Sequence, residues 1–217
     1  MNLEEVWRIR EEQVCPSLFG GTGRGIFTLS EGVFQGRFRQ IDVDPRWLFL
    51  GVFEFAPTTT RPFWIYVTSG HSNPWNEAPG SFVPDGPSGA GVEFLFATKE
   101  QGEWAIRQVL NLLAFDLLLR AGRYPGKPPF ADGDRIPLRS PVNNDPACVL
   151  RNMLVSFAGE TWPGFNLPSG AVRFLTLVGV SDAEVSYAKT AGSEVLATAL
   201  SANGYYPVTD THRQSLF

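Results

Sequence analysis

The sequence predicts an α+β fold: a mixed, largely antiparallel β-sheet packed with helices in one compact domain. Three observations lead there. The runs WLFLGVFEF (47–55) and FWIYVT (63–68) are rich in aromatic and β-branched residues, the composition of strands covered on both faces. The stretch from Glu103 to Ala121 is apolar around most of its helical circumference, as a helix buried between layers must be. The order of elements is helix, several strands, long helix, strands, helix, without the regular strand–helix alternation of a parallel α/β protein.

Each element follows in turn. Residues 2–13 have helical spacing, with Leu3, Val6, Trp7 and Ile9 on one side, and Pro16 is expected to end that helix. The N-terminal helical segment, residues 1–20, is expected to pack on a domain formed by residues 21–217. The glycines at 20, 21, 23 and 25 predict a flexible loop, followed by a short strand over 26–29. After the two aromatic strands comes a Pro/Gly-rich loop over 74–90, of the kind that forms lids or binding segments. A strand resumes at Val92 to Thr98. Gly122 and Pro125 close the long helix. Val149 to Phe157 is ambiguous between strand and helix, and Ala171 to Val180 reads as a strand. Ser181-Asp182-Ala183-Glu184 matches a capping box, opening a final helix that runs to Asn203-Gly204.

The totals exclude several functions. The net charge of −4 disfavours non-specific binding of nucleic acid or anionic membranes. Neither Cys15 nor Cys148 has a second ligand at zinc spacing. There is no apolar signal-peptide core, and the Val109–Leu119 run is too short to span a bilayer. A cytoplasmic protein with reduced thiols, without cofactor or metal, is the expectation.

The polar segment at the end of the second aromatic strand, YVTSGHSNPW (66–75), carries the functional question. Ser69 and His71 are two residues apart, so on an extended chain they share a face, as a nucleophile and base would. The serine has no G-x-S-x-G elbow, and the orienting acid would have to be Glu93 or Asp210. Glu93 lies within an apolar strand, where a carboxylate must find donors or a counter-charge. Those donors are expected in Thr68-Ser69-Gly70; the other reading is a perturbed acid in a binding site. Gly70 is placed to supply a positive φ and Asn73 to tie the turn to its own backbone. Trp75 and Trp162 are either interface anchors or satellite core. The segment 120–139 is the most basic and reads either as a solvated loop or as a docking patch for an acidic partner, with Arg123 as its candidate residue. The glycine cluster does not form a phosphate loop, since no lysine and hydroxyl residue follow it into a helix.

Several of these residues together resemble the Suppressor of fused family, in particular its bacterial single-domain members. The similarity runs through Trp47-Leu48, Gly51-Val52-Phe53-Glu54-Phe55, Arg61-Pro62, Trp64, Tyr66-Val67-Thr68-Ser69-Gly70, Ser72-Asn73-Pro74-Trp75 and Gly91-Val92-Glu93. It continues in the Trp104–Leu119 helix, Gly133-Asp134-Arg135-Ile136, the Glu184 helix and the Thr209–Arg213 tail, covering residues 40–217. The T-S-G-x-S-N-P-W block is its most specific part, and His71 sits at the variable position of that block. The resemblance implies a compact α+β domain that binds protein and has no catalytic residues. Animal relatives restrain transcription factors of the Hedgehog pathway and carry a further C-terminal portion, which this chain is expected to lack. Bacterial relatives are associated with polymorphic toxin systems as immunity proteins. The expected partner is therefore a protein, in particular a toxin domain. The expected site comprises Thr68, Ser69, Gly70, Ser72, Asn73, Trp75, Glu93 and Arg123, as contact residues or as supports of the loop. Two alternatives stand beside it: a regulatory module that captures a peptide on a sheet edge, and a hydrolase using Ser69 and His71.

Overall fold

The computed structural model describes residues 2–75, 78, 81–83, 85–158 and 161–217. The helices are α1 (Leu3–Arg8), α2 (Cys15–Phe19), α3 (Glu31–Phe38), α4 (Glu103–Arg120), α5 (Asp182–Ala191) and α6 (Ser193–Ala202). The strands are β1 (Thr22–Thr28), β2 (Gly51–Phe55), β3 (Trp64–Ser69), β4 (Pro87–Thr98), β5 (Arg135–Pro137), β6 (Leu150–Ser156), β7 (Phe165–Leu167), β8 (Gly170–Ser181) and β9 (Val208–Thr209). They form one sheet in the order β1-β2-β3-β4-β8-β6-β5, with β7 on β8 and β9 on β4. The pairings are antiparallel except for β4 with β8 and β4 with β9. The mixed, mostly antiparallel α+β architecture is the predicted one.

Both faces of the sheet are covered, which explains why its central strands read as apolar runs rather than alternations. On one face α4 lays Ala105, Ile106, Val109 and Leu112 on Tyr66, Phe94, Phe96, Leu175 and Leu177. Glu103 in its first turn and Arg120 in its last suit the helix dipole. On the other face, α2 places Cys15 and Phe19 against Phe53, Phe55, Leu95 and Phe174. Farther along that face, α5 and α6 cover Leu154, Val178 and Val180. The capping box at Ser181 and Glu184 is formed in both directions.

Several boundaries differ from the sequence reading. The first aromatic run is not one strand. Asp44 accepts the Arg46 N–H, Pro45 starts a 3-10 turn over Pro45–Phe49, and only Gly51–Phe55 is strand. Pro16 does not end the N-terminal helix: a π-helical turn at Ile9–Val14 leads into α2, whose first turn contains Pro16. Half of the glycine cluster is strand: Gly23 and Gly25 lie in β1, which starts at Thr22 and has a register shift between Thr22 and Ile26. Helix α3 forms where none was expected. The ambiguous 149–157 segment is strand β6. The last helix is two, broken at Gly192. Of the loop expected over 74–90, residues 76, 77, 79, 80 and 84 lie outside the described residues, and 87–90 belong to β4.

Candidate functional site

Strand β3 ends in the middle of the molecule rather than at its rim, and this creates the site. At Gly70 the backbone turns with φ of 131°, a conformation that favours glycine; a Cβ there would lie 2.2 Å from Leu50 Cγ. The chain closes a tight turn through Asn73 N–H to Gly70 O, at 3.1 Å. Gly89 of β4 then presses against it so closely that a Cβ would lie 2.4 Å from Asn73 O. Ser69, His71, Ser72 and Asn73 are all buried. A polar turn in such a place must have its donors and acceptors matched from within.

Glu93 does much of the matching. One carboxylate oxygen, Oε2, accepts from Thr68 Oγ1 at 2.6 Å. The other, Oε1, accepts from Gly70 N and Ser72 N at 3.0 Å each and from Ser72 Oγ at 2.6 Å. Thr68 Oγ1 in turn accepts the Phe94 N–H. The expected donors at Thr68 and Gly70 are therefore in place, and Ser72 adds two more.

The counter-charge is Arg10, which the sequence reading did not single out. It lies in the π-helical turn, is 1% exposed, and reaches the β3–β4 turn from the second face of the sheet. Its Nε donates to Ser69 Oγ at 2.9 Å; its Nη1 donates to Ser72 Oγ at 3.0 Å and to Asn73 Oδ1 at 2.7 Å. Both serine hydroxyls pass the bond on, Ser72 to Glu93 and Ser69 to Glu11 Oε1 at 2.6 Å. Arg10 and Glu93 are 3.9 Å apart and are bridged through Ser72. Asn73 does not cap its own backbone, because its carbonyl is taken by Arg10. Ser88 Oγ donates to Ser72 O at 2.6 Å, and Ser169 lies 2.6 Å behind Ser88.

His71 points the other way, towards α4. Its ring stands edge-on to Phe94, with centroids 4.8 Å apart, and Nε2 lies 3.3 Å from Asp116 Oδ2. Burial pushes its pKa below the usual imidazole value, and this outweighs the opposite pull of Asp116. Asp116 also accepts from Arg120 Nε at 2.6 Å and Phe130 N at 2.7 Å. The hydrolase geometry is therefore not formed. The i, i+2 rule holds for extended chain, but the turn at Gly70 sends the two side chains to different layers, and the Ser69 hydroxyl is committed to Arg10 and Glu11. Neither of the acids weighed as an orienting group stands behind His71; that place is Asp116's.

The outer side of the turn is aromatic. Trp75, half-buried, meets Trp7 edge-on at 5.9 Å, and Trp7 stacks with Phe49 at 6.2 Å. Phe49 is 63% exposed. Trp75 also lines a cleft of about 560 Å³ together with Trp47, His71 and Arg120. Trp162 is edge-on to Phe63 beside the second-face core. Arg123 is not brought to the turn; it pairs with Asp42 at 2.8 Å in the loop after α4. A second buried ion pair fastens the C-terminal segment. Arg213 binds Glu184, which also accepts from Ser181 N and Leu216 N. Burial raises the Glu184 pKa, but these hydrogen bonds and the guanidinium outweigh it and hold the carboxyl below the usual range. Among the described residues no group of acids, histidines and cysteines is arranged to hold a metal ion. None of the described helices is long and apolar enough to cross a membrane.

The comparisons with known proteins agree on one family. A family model described as Suppressor of fused protein matches residues 47–214. A chain of the Sufu–Fu complex has a similar structure, with a TM-score of 0.63 and 19% identity over 99% of this chain and 92% of that one. A Suppressor of fused homologue from Neisseria gonorrhoeae gives 0.60 and 20%, covering 96% of each chain. Drosophila Suppressor of Fused gives 0.51 and 22%, over 76% of this chain and 42% of its own. At these identities the solved structures speak to fold. No curated protein matches the sequence.

Proposed function

The chain belongs to the Suppressor of fused family, and from that premise we propose that it works by binding a protein partner, specifically as an immunity-type protein that neutralises a toxin domain by covering it. The observation that carries the reading is the aromatic ladder of Trp75, Trp7 and Phe49. It ends in an exposed ring and is backed by the buried Glu93–Arg10 network. Rigid aromatic anchors on a fixed base are what a binding hot spot needs, because little side-chain entropy is lost on docking. The polar residues that a catalytic reading would use support the fold instead. Thr68, Ser69, Gly70, Ser72, Asn73 and Glu93 build the base, and Trp75 belongs to the contact surface. The Sufu–Fu complex is one structural relative seen with a second protein.

The test is capture from the native organism with the tagged chain as bait, beside the Phe49→Ala and Trp75→Ala variants. One stoichiometric partner with toxin activity, lost with the variants and neutralised on co-expression, is the expected result. A partner without toxicity would leave protein binding and remove the immunity role. No partner, from cells shown to express the neighbouring toxin-like proteins, would sink the whole reading.

A second reading has its own observation. Among the described residues β1 pairs only with β2, so its outer edge is available to an added strand. The register shift and glycines of β1 shorten that edge, as in sheets that resist casual pairing. Slowed hydrogen exchange in β1 on partner binding would favour strand addition over the aromatic surface.

A further inference from the structure

We propose that a cleft between α3, α4 and the segment after β5 is a docking site for a short acidic peptide segment that carries an apolar side chain among its carboxylates. This rests on the reading of the chain as a protein-binding domain and names the chemistry of what it binds. The cleft has a volume of about 680 Å³. Four cations from three separate parts of the chain line it: Arg37 and Arg39 at the end of α3, Lys127 in the loop after α4, and Arg139 just past β5. Among the described residues no aspartate or glutamate is in the lining. All four are exposed, and none forms an ion pair within the described residues, whereas Arg24, Arg46, Arg120 and Arg123 each have a carboxylate.

A concentration of unpaired cations on a chain of net charge −4 is a local inversion of sign, and like-charge repulsion among the four is unrelieved by any described side chain of the cleft. An anionic partner relieves it. Two of the four, Arg39 and Arg139, hold backbone φ of 57° and 67°, which side-chain-bearing residues adopt uncommonly.

The rest of the lining selects a peptide. Phe115 forms an aromatic wall, stacked on Phe38 at 5.6 Å and edge-on to Tyr124 at 5.3 Å, which suits an apolar side chain between the charges. Buried Gln108 donates its amide to Val142 O and leaves Oε1 without a donor, an acceptor that a peptide N–H would satisfy. A nucleic acid strand would also meet the cations; the peptide is chosen because the chain is read as a protein-binding domain, and an oligonucleotide arm in the test separates the two. The charge-rich segment 120–139 thus acts through Lys127 and Arg139, joined by two arginines from α3, rather than through Arg123.

The experiment uses the full chain and a fluorescein-labelled peptide alternating glutamate with phenylalanine, read by fluorescence polarisation. The cleft is neutralised by Arg37→Gln, Arg39→Asn, Lys127→Gln and Arg139→Asn, asparagine being chosen for its tolerance of positive φ. Lys189→Glu on α5 is the charge control, and Lys127→Glu alone is used if the fourfold variant loses its native circular dichroism. The expected result is saturable binding that weakens as salt rises from about 50 to about 300 mM, falls at least about tenfold in the neutralised variant, and is unchanged in the control. Absence of binding to the wild-type chain, or binding indifferent to the cleft variants, overturns the proposal. So does preference for a single-stranded oligonucleotide over the peptide. Partner capture that survives neutralisation overturns the cleft while leaving the protein-binding reading intact, whereas failure of capture by the wild-type chain is failure of that reading.

Discussion

Replacing Glu93 by glutamine tests whether the buried network holds the turn. The change keeps the shape of the side chain, so no cavity complicates the outcome. The carboxylate accepts from Thr68 Oγ1 on one oxygen and from Gly70 N, Ser72 N and Ser72 Oγ on the other. An amide can keep an acceptor at only one of these positions. Its least costly placement leaves oxygen to the Gly70 and Ser72 donors and turns NH2 to Thr68. Thr68 Oγ1 already accepts from Phe94 N, so its own hydrogen is then orphaned. The three remaining bonds lose their charge assistance, and Arg10 keeps only the partly exposed Glu11 as counter-charge. Breaking one side of a buried charge network costs roughly 3–5 kcal/mol, which for a chain of this size is about 6–20 °C in Tm. Urea unfolding followed by tryptophan fluorescence reads it, with an unchanged m-value as the check on two-state behaviour. In the double variant with Arg10→Met the two losses should fall short of additivity by more than about 1 kcal/mol, because both remove one network. A loss below about 1 kcal/mol for Glu93→Gln, or strict additivity, would refute the reasoning.

Three further outcomes follow from the same geometry. Gly70→Ala should destabilise by more than about 3 kcal/mol, since it combines an unfavourable φ with a Cβ set into Leu50; a soluble variant of wild-type stability would contradict this. Because burial depresses the His71 pKa, the unfolded chain binds the extra proton first, so stability is full above the unfolded value of about 6.5 and declines as pH falls below it. The variant His71→Phe should flatten that decline between about pH 5 and 7, and an unaltered slope would rule His71 out as its source. Cys15 is buried with its thiol pKa pushed up to about 12, so it should resist Ellman's reagent in the native chain and react on unfolding; rapid native labelling at Cys15 would show that α2 opens readily.

The sheet, the central helix and the acid-bearing strand were legible because burial on both faces leaves a plain mark on composition. Glu93 was legible for a related reason: a carboxylate in an apolar run must have donors nearby. Arg10 carried the same mark and was passed over. It continues the stripe begun by Leu3, Val6 and Trp7, which puts a charged side chain on the buried side of a short helix. Asp116, a lone acid on an otherwise apolar helix, is the same signal. Helix α3 was illegible because EGVFQGRF holds two glycines and no clear stripe; it is held by tertiary contact, with Phe34 packed among Leu113, Ala114 and Leu117 of α4 and against Trp47, ring centroids 5.5 Å apart. Strands β5, β7 and β9 are two or three residues long, too short for any periodicity to show.

The two sides of the Thr68–Trp75 turn must be probed differently if an interface is to be mapped on it. Ser69, Ser72, Asn73 and Glu93 lie inside a closed set of hydrogen bonds, so alanine at any of them leaves a buried partner unmatched. Such variants would lose binding by loosening the turn, and the loss would be mistaken for a contact. Phe49 is the reverse case. It is largely exposed, so Phe49→Ala should shift stability by less than about 0.5 kcal/mol while removing the outer ring of the ladder. Trp75 lies between these cases, because it packs on Trp7 as well as facing the cleft. Partner affinity measured for Phe49→Ala at unchanged stability therefore isolates the surface from its support. If affinity is unchanged there but falls with neutralisation of Arg37, Arg39, Lys127 and Arg139, the contact belongs to the basic cleft, and the aromatic ladder is packing that closes the edge of the core.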